Sequence, residues 1–347
     1  MDVAPGATTR FDPAMPVYVA GHTGLAGSAL VRALRRRGAR RLIVASHAEL
    51  DLEDPAATRV FLRRHRPALV FLAAARVGGI VANDSAPHDF LMRNLAIEMS
   101  VLEAARTTGV ARLVFLGSSC IYPRECPQPM REDHLLGGPL EPTNRAYAIA
   151  KIAGIEMCRA ANRQHGCGFL AAMPTNLYGP GDNYHPEHSH VLPALLRKID
   201  TARAAGAPQV TLWGSGTPLR EFLHADDLAE GLLFLAGLDE PAWRALLDAP
   251  CGPLINIGSG EELSIAALAR RIARVLDYRG EFVFDPSRPD GTPRKRLDTS
   301  RLATLGWRPR ISLDEGILDA WHDLRARGLG AARPDALGQG TRHEHAV

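Results

Sequence analysis

Gly21, Gly24 and Gly27 stand between a short apolar run, Pro16-Val-Tyr-Val-Ala20, and a helical pattern over 28–37 that Gly38 ends. No other feature constrains the fold as much. One glycine permits a tight turn with unusual backbone angles, one lets the backbone approach a ligand, and one lets the helix pack on the strand. A helix that begins there offers N–H donors and a partial positive charge. At the first strand of a β-α-β unit, this triplet predicts a cradle for the pyrophosphate of a dinucleotide.

The following segments agree with such a unit. Apolar runs at 41–45, 68–72 and 112–117 predict buried strands, and the spacing predicts helices over 55–65 and 94–109. Strands alternating with helices imply a parallel sheet covered on both faces, with right-handed crossovers. A proline-rich loop over 120–143 precedes a helix at 146–165 and a strand at 168–173. The stretch 174–193 reads as polar and irregular. Beyond it come a strand and tight turn at 210–216, a helix at 226–237, a strand at 254–257, and helices at 264–276 and 312–327. The fold expected is α/β: a Rossmann-type doubly wound parallel sheet with a smaller C-terminal α/β domain over its carboxyl edge, where ligands bind in open sheets. The nucleotide domain is expected over 14–180 plus about 222–258. The substrate domain is expected over about 181–221 plus 259–330, with 1–13 and 331–347 as disordered tails.

Composition narrows the function classes. The 347 residues are 46% hydrophobic and 23% charged, with net charge +3, an ordinary globular balance. The basic excess is small and dispersed, and Arg35-Arg36-Arg37 fits a solvated helix end, so no nucleic-acid partner is expected. No apolar run approaches the ~18 residues of a membrane span, and the first twelve residues lack the apolar core of a signal peptide. Five cysteines without a C-x-x-C pair argue against a disulfide framework or zinc site and for a reducing, cytoplasmic setting. The neighbouring His185, His188 and His190 lack the acids a metal site would need, and no metal is expected.

Tyr147-Ala-Ile-Ala-Lys151 opens a predicted helix, and a spacing of four puts both side chains on one face. Ser118 follows the strand at 112–117, at the sheet edge where a nicotinamide would lie. The three suit carbonyl reduction. The phenol donates the proton that the carbonyl oxygen takes as hydride arrives, the serine orients that oxygen, and the amine holds the nicotinamide ribose. A free phenol has pKa about 10, and a nearby ammonium is expected to lower it. Cofactor choice is read at the end of the second strand. Ala45, Ser46 and His47 supply neither an acid for a ribose 2′-hydroxyl nor an arginine for a 2′-phosphate. Ser46 and a protonated His47 suit a phosphate, which favours NADP(H) and leaves NAD(H) open. Asp51 is placed to meet the adenine.

At this point the chain resembles the GDP-L-fucose synthases, a family within the extended short-chain dehydrogenases. The similar stretches are Gly21-His-Thr-Gly-Leu-Ala-Gly27, Leu116-Gly-Ser-Ser-Cys-Ile-Tyr-Pro123, Tyr147-Ala-Ile-Ala-Lys-Ile-Ala-Gly154 and Met173-Pro-Thr-Asn-Leu-Tyr-Gly-Pro180. Others are Ser189-His-Val-Leu-Pro193, Trp213-Gly-Ser-Gly-Thr-Pro-Leu-Arg-Glu-Phe-Leu-His224 and Asp290-Gly-Thr-Pro-Arg-Lys295. The resemblance spans about 16–325. It implies epimerisation of GDP-4-keto-6-deoxy-D-mannose at carbons 3 and 5 and reduction at carbon 4 with NADPH. It implies Ser118, Tyr147 and Lys151 as the reduction set, and Cys120 and His190 as base and acid for the epimerisations. Gly21, His22, Thr23, Gly24, Leu25, Ala26, Gly27, Leu116, Gly117, Ser118, Ser119, Lys151, Pro174, Thr175, Asn176, Leu177 and His190 would line the cofactor. Trp213, Arg220 and Asp290 would hold the GDP-sugar, with Lys198 and Lys295 near its phosphates. Thr23 and His47 stand where some members carry arginines that grip the 2′-phosphate. The chemistry is coherent: a 4-keto group acidifies the protons at carbons 3 and 5, and a thiolate and an imidazole both titrate near working pH. A homodimer through the helices containing Asn94 and Tyr147 is also expected. A 4-epimerase or dehydratase with tightly bound NAD shares the glycine turn and the Tyr-Lys pair but has no need of Cys120 with His190. A non-catalytic cofactor sensor has no need of the proton donor.

Overall fold

Short Val-, Leu- and Phe-rich runs become strands buried on both faces, and the amphipathic runs between them become the covering helices. The computed structural model describes residues 11–185, 189–287 and 290–330. In chain order it runs β1 (Pro16–Ala20), α1 (Leu25–Arg36), β2 (Arg41–Ile43), α2 (Pro55–His65), β3 (Leu69–Leu72), α3 (Ile80–Ser85), α4 (Pro87–Thr108), β4 (Arg112–Leu116), α5 (Arg145–His165), β5 (Phe169–Pro174) and β6 (Asn176–Tyr178). It continues α6 (Val191–Ala204), β7 (Gln209–Trp213), β8 (Leu219–His224), α7 (Ala225–Ala236), α8 (Glu240–Leu247), β9 (Leu254–Ile257), β10 (Glu262–Ser264), α9 (Ile265–Val275), β11 (Glu281–Asp285), β12 (Arg294–Lys295), α10 (Ser300–Thr304) and α11 (Leu313–Ala326). Of the tails expected over 1–13 and 331–347, residues 11–13 are described, with Phe11 packed on the core and the Pro13 carbonyl accepting from the Arg40 N–H at 2.8 Å; 1–10 and 331–347 lie outside the described residues.

The six-stranded sheet has the order β2-β1-β3-β4-β5-β9, and every pairing in it is parallel. Alternate residues of β1 serve opposite faces. Val17 and Val19 pack with α1, α7 and α8, whereas Tyr18 and Ala20 pack with the α4 and α5 side. Each fully buried Val, Leu or Phe contributes roughly 1.5–3 kcal/mol, so the two faces make this sheet the rigid part of the molecule. The chain leaves β1 toward β2 and then crosses back to β3. The carboxyl ends of β1 and β3 therefore flank a switch point, where open α/β sheets take their ligands.

A second core gathers α6, α9, α11, β7 and the Phe222 side of β8. There β8 pairs with β6, β10 and β12, and β7 pairs with β11. Only Thr175 separates β5 of the large sheet from β6 of the small one. The Thr175 hydroxyl donates to the Glu221 carbonyl at 3.1 Å.

Several elements differ from expectation. α4 begins at Pro87, seven residues before 94, because proline fits a helix's first position. α6 starts inside the stretch expected to be irregular, since Pro193 falls in its first turn, where no N–H is missed. β8 gives no clear strand signal in the sequence, because Arg220-Glu221 looks like surface. Glu221 is instead fully buried, accepting from the N–H groups of Gly260 at 2.7 Å and Leu297 at 2.8 Å. β11, α3, α8 and α10 are too short or too charged to show a period.

Candidate active site

The glycine turn has the form its sequence requires. Gly21 sits at φ +84°, a region that favours glycine. A Cβ on Gly27 would lie 2.0 Å from the Gly21 carbonyl oxygen, so only glycine lets α1 seat on the turn. Gly24 caps α1 without a side-chain hydrogen bond, and no acid occupies the first helical turn. The first N–H groups of α1 thus face the sheet's carboxyl edge with neither a capping side chain nor a repelling charge. That arrangement fits a diphosphate. His22, Thr23, Leu25 and Ala26 complete the turn, with Leu25 and Ala26 packed against the core. Leu116 ends β4, separated from β1 by β3, and Gly117 and Ser119 follow it. Pro174 and Leu177 flank Thr175 and Asn176, and the Asn176 amide donates to the Glu221 carbonyl at 2.8 Å.

At the end of β2 the structure alters the sequence picture. The Glu49 carboxylate folds back and accepts from both the Ser46 N–H at 2.7 Å and the Ser46 hydroxyl at 2.8 Å. These bonds hold Glu49 below its usual pKa. The Ser46 donors expected to meet a 2′-phosphate are therefore occupied by an acid three residues on. His47 is 81% exposed and lies 3.8 Å from Asp51.

Tyr147 and Lys151 occupy one face of α5, as their spacing requires. Lys151 is 1% exposed. Its ammonium donates to the Leu116 carbonyl at 3.0 Å, lies 3.1 Å from Glu98 Oε1, and sits 4.7 Å from the Phe115 ring centre and 5.8 Å from that of Tyr147. The Tyr147 ring packs edge-on against Phe90. Its phenol is raised above its ordinary pKa by burial first, then by the charges of Cys120 and Glu98, while a hydrogen bond with Ser118 acts the other way. This corrects the expectation that the ammonium would lower it. Glu98 pairs with that ammonium, and burial favours the neutral form of the phenol. Sequence reasoning missed Glu98, because a glutamate inside a helix ordinarily reads as a solvated one.

Cys120 lies beside this set. Its N–H donates to the Ser118 hydroxyl at 3.3 Å. Its sulfur accepts from Lys295 Nζ at 3.3 Å and from the Asn144 amide at 3.3 Å. Burial alone would raise the thiol. The Lys295 charge, the Ser118 and Lys295 hydrogen bonds and the Arg220 charge outweigh it, and the net pKa falls below the usual thiol value. His190 caps the start of α6, and its pKa is lowered by desolvation and then by Lys295. One ammonium therefore acts on both proton-transfer candidates. The resemblance implies a place for Lys295 near the substrate's phosphates; in this structure its ammonium meets the Cys120 sulfur.

Around the rim, Arg220 is half-buried, and its guanidinium donates to the Leu219 carbonyl at 2.8 Å. Burial lowers its pKa, while the charges of Cys120 and Asp290 raise it. Lys198 lies over the Trp213 ring at 5.7 Å and donates to the Thr211 carbonyl at 2.9 Å. Asp290 accepts from the Ser215 N–H at 3.0 Å and hydroxyl at 2.7 Å, pinning the turn after β7. Trp213, at 46% exposed, presents a flat aromatic face at the rim. Among the described residues no group of three His, Cys, Asp or Glu is arranged for a metal ion, and His188 lies outside them.

A parallel sheet with an uncapped glycine turn at its switch point, and a Ser-Tyr-Lys set beside it, defines a nicotinamide-dependent oxidoreductase that acts on a carbonyl. The chain matches the NAD dependent epimerase/dehydratase family over residues 17–243 and belongs to that family. It is 50% identical to the GDP-L-fucose synthase of Escherichia coli K12 over 305 residues, covering 88% of this chain and 95% of that protein. It is 49% identical to GDP-L-fucose synthase 1 of Arabidopsis thaliana over 310 residues, covering 88% of this chain and 92% of that one. The solved GDP-mannoheptose C4 reductase from Campylobacter jejuni, with NADP bound, superposes with TM-score 0.82 at 33% identity, covering 91% of this chain and all of that one.

Proposed function

We propose that this enzyme makes GDP-L-fucose: it epimerises GDP-4-keto-6-deoxy-D-mannose at carbons 3 and 5 and reduces carbon 4 with NADPH. The observation that carries this reading is the meeting of two proton-transfer sets on one serine. Ser118 bonds the Cys120 N–H and reaches the Tyr147 phenol, so the ketone can be enolised and reduced without leaving the site. The relatives at about half identity carry the same activity in their names. A 4-epimerase that returns its hydride leaves the lysine-activated thiol without a task.

Cys120, as thiolate, removes the proton next to the ketone, and His190 delivers one to the opposite ring face. Ser118 and Tyr147 donate hydrogen bonds to the enolate oxygen that forms between the two steps. NADPH, when bound along the glycine turn, supplies the hydride that carbon 4 receives. Tyr147 then gives its proton to the oxygen, and Lys151 steadies the ribose. Arg220 suits the substrate's diphosphate through its planar fork, and Trp213 suits its base or sugar. The test uses GDP-4-keto-6-deoxy-D-mannose with NADPH or NADH and follows loss of the reduced-nicotinamide absorbance. The Glu49–Ser46 bonds and the absence of arginine at Thr23 and His47 predict measurable turnover with NADH as well. No consumption of either cofactor would refute the assignment.

The active pair, thiolate with imidazolium, contains the same number of protons as thiol with neutral imidazole. Lys295 lowers both pKa values. In Lys295→Met the thiolate loses its counter-charge and the imidazolium loses a repulsion, so both values rise. The pH optimum for solvent-deuterium exchange at carbons 3 and 5 is expected to move up by about one unit. An unmoved optimum at saturating substrate would show that Lys295 does not tune the pair.

The outward faces of α4 and α5 expose Met92, Met99 and Ile149. These faces support a homodimer joined through both helices. Sedimentation equilibrium should give twice the 37.5 kDa chain mass, and a monomer at working concentration would end that reading. A cytoplasmic, reducing setting suits the five cysteines, all of them free.

A further inference from the structure

Behind the amine of the reduction set lies a carboxylate that the chemistry above does not use. Glu98 sits in the interior of α4 with its side chain 1% exposed, and Lys151 on α5 is equally buried. Glu98 Oε1 is 3.1 Å from Lys151 Nζ, an ion-pair contact, and neither Glu98 oxygen has a well-aligned hydrogen-bond partner. The helices approach closely here because Gly154 has no side chain. A Cβ on it would lie 2.8 Å from Glu98 Oε2 and 2.5 Å from the Phe115 ring.

A buried ion pair whose carboxylate oxygens lack hydrogen-bond partners is a poor source of stability. Desolvation costs several kcal/mol per ion, and well-packed apolar residues often do as well or better. A role in the chemistry accounts for it better. The ammonium has three protons. One goes to the Leu116 carbonyl, the Glu98 carboxylate lies 3.1 Å from the nitrogen, and the Phe115 and Tyr147 rings flank it at 4.7 and 5.8 Å. Glu98 thus sets the direction of the third.

We propose that Glu98 is a positioning residue for the reduction: it anchors Lys151 from behind, aims it at the cofactor ribose, and balances its charge so that Tyr147 stays a neutral hydroxyl ready to donate. This rests on the reductase reading. The phenol's surroundings agree. Cys120 from the loop after β4 and Glu98 from α4 both disfavour its ionised form, Ser118 favours it, and Lys151 lies on its own helix. Burial raises the Glu98 carboxyl above its usual range, the Lys151 ammonium beside it favours the charged form, and its charge reaches the buried Cys158. For a reductase the sign is useful, since hydride arrival at a ketone calls for a proton and an ionised phenol has none.

Removing the Glu98 charge takes a negative neighbour away from the phenol, so the ionised form of Tyr147 is less disfavoured. The alkaline loss of reductase activity must therefore begin at lower pH.

The experiment compares wild type, Glu98→Gln, Glu98→Asp and, as a neighbour in the same helix, Ser100→Ala, all as full chains. Wild type must oxidise NADPH with the keto-sugar and Tyr147→Phe must not; failure there refutes the reductase reading, not this inference. Given that, Glu98→Gln should lower kcat about tenfold and bring the alkaline limb down by about one pH unit. It should also weaken NADPH binding several-fold, read by energy transfer from protein to nicotinamide fluorescence. Glu98→Asp keeps the charge but falls short of the ammonium. It should keep the wild-type limb while losing part of kcat, and this variant decides the question even if the glutamine variant does not fold. Ser100→Ala should leave limb and affinity unchanged. Glu98→Gln with unaltered limb, kcat and NADPH affinity, or Glu98→Asp indistinguishable from wild type in kcat, would overturn the proposal.

Discussion

Tyr147→Phe is expected to reduce NADPH oxidation by roughly 10²–10⁴-fold, the range lost when a positioned general acid is removed. The substitution deletes one oxygen from a ring held edge-on by Phe90 and leaves Lys151 and Ser118 in place. Folding and cofactor affinity should therefore stay near wild type. The loss should appear in kcat rather than KM, since the phenol's proton matters only as charge develops on the carbonyl oxygen. Solvent exchange at carbons 3 and 5 should persist at a reduced rate, because Ser118 still donates to the enolate. Stopped-flow absorbance of the nicotinamide together with mass spectrometry of the sugar separates the two. A phenylalanine variant within about threefold of wild-type turnover would remove the phenol from the reaction.

Cys120→Ser should have the complementary effect. The thiol owes its lowered pKa to Lys295 and Arg220, and a serine hydroxyl in the same place stays protonated at any usable pH. Deuterium uptake at carbons 3 and 5 should fall by roughly 10²–10³-fold, while NADPH is still consumed slowly to give an unepimerised 4-hydroxy sugar. Because Cys120 Sγ also accepts from Asn144 and Lys295, the oxygen preserves much of the local bonding. Unchanged uptake would assign the base elsewhere, with His190 the next group to test. The two variants thus dissect one active site into its halves, each losing what the other keeps.

The parallel sheet was legible because its strands are uninterrupted apolar runs whose surroundings leave them no other place. The glycine turn was legible because steric necessity allows few substitutes. β8 was not, since its buried carboxylate at Glu221 is satisfied by backbone N–H groups that lie far away in sequence. Glu98 left a signal that went unused: with Asn94, Val101 and Ala105 it falls on the buried stripe of α4. A charge on that stripe requires a partner, and the Lys151 partner is 53 residues downstream (151 − 98). The contact between Lys295 and Cys120 was not legible either, because motif position says nothing of which atom an amine will meet. Three-dimensional folding, not residue type, puts it on a thiol.

The double duty of Ser118 has a consequence for anyone wishing to split this catalyst. Its oxygen accepts the N–H of Cys120, and its hydrogen bonding favours the ionised Tyr147 phenol, so on the proposed reading the isomerising and reducing halves are not separable parts joined by a seam. A redesign that wants the isomerase alone must cut at Tyr147, and one that wants the reductase alone must cut at Cys120. An alteration at Ser118 would blunt both tools at once.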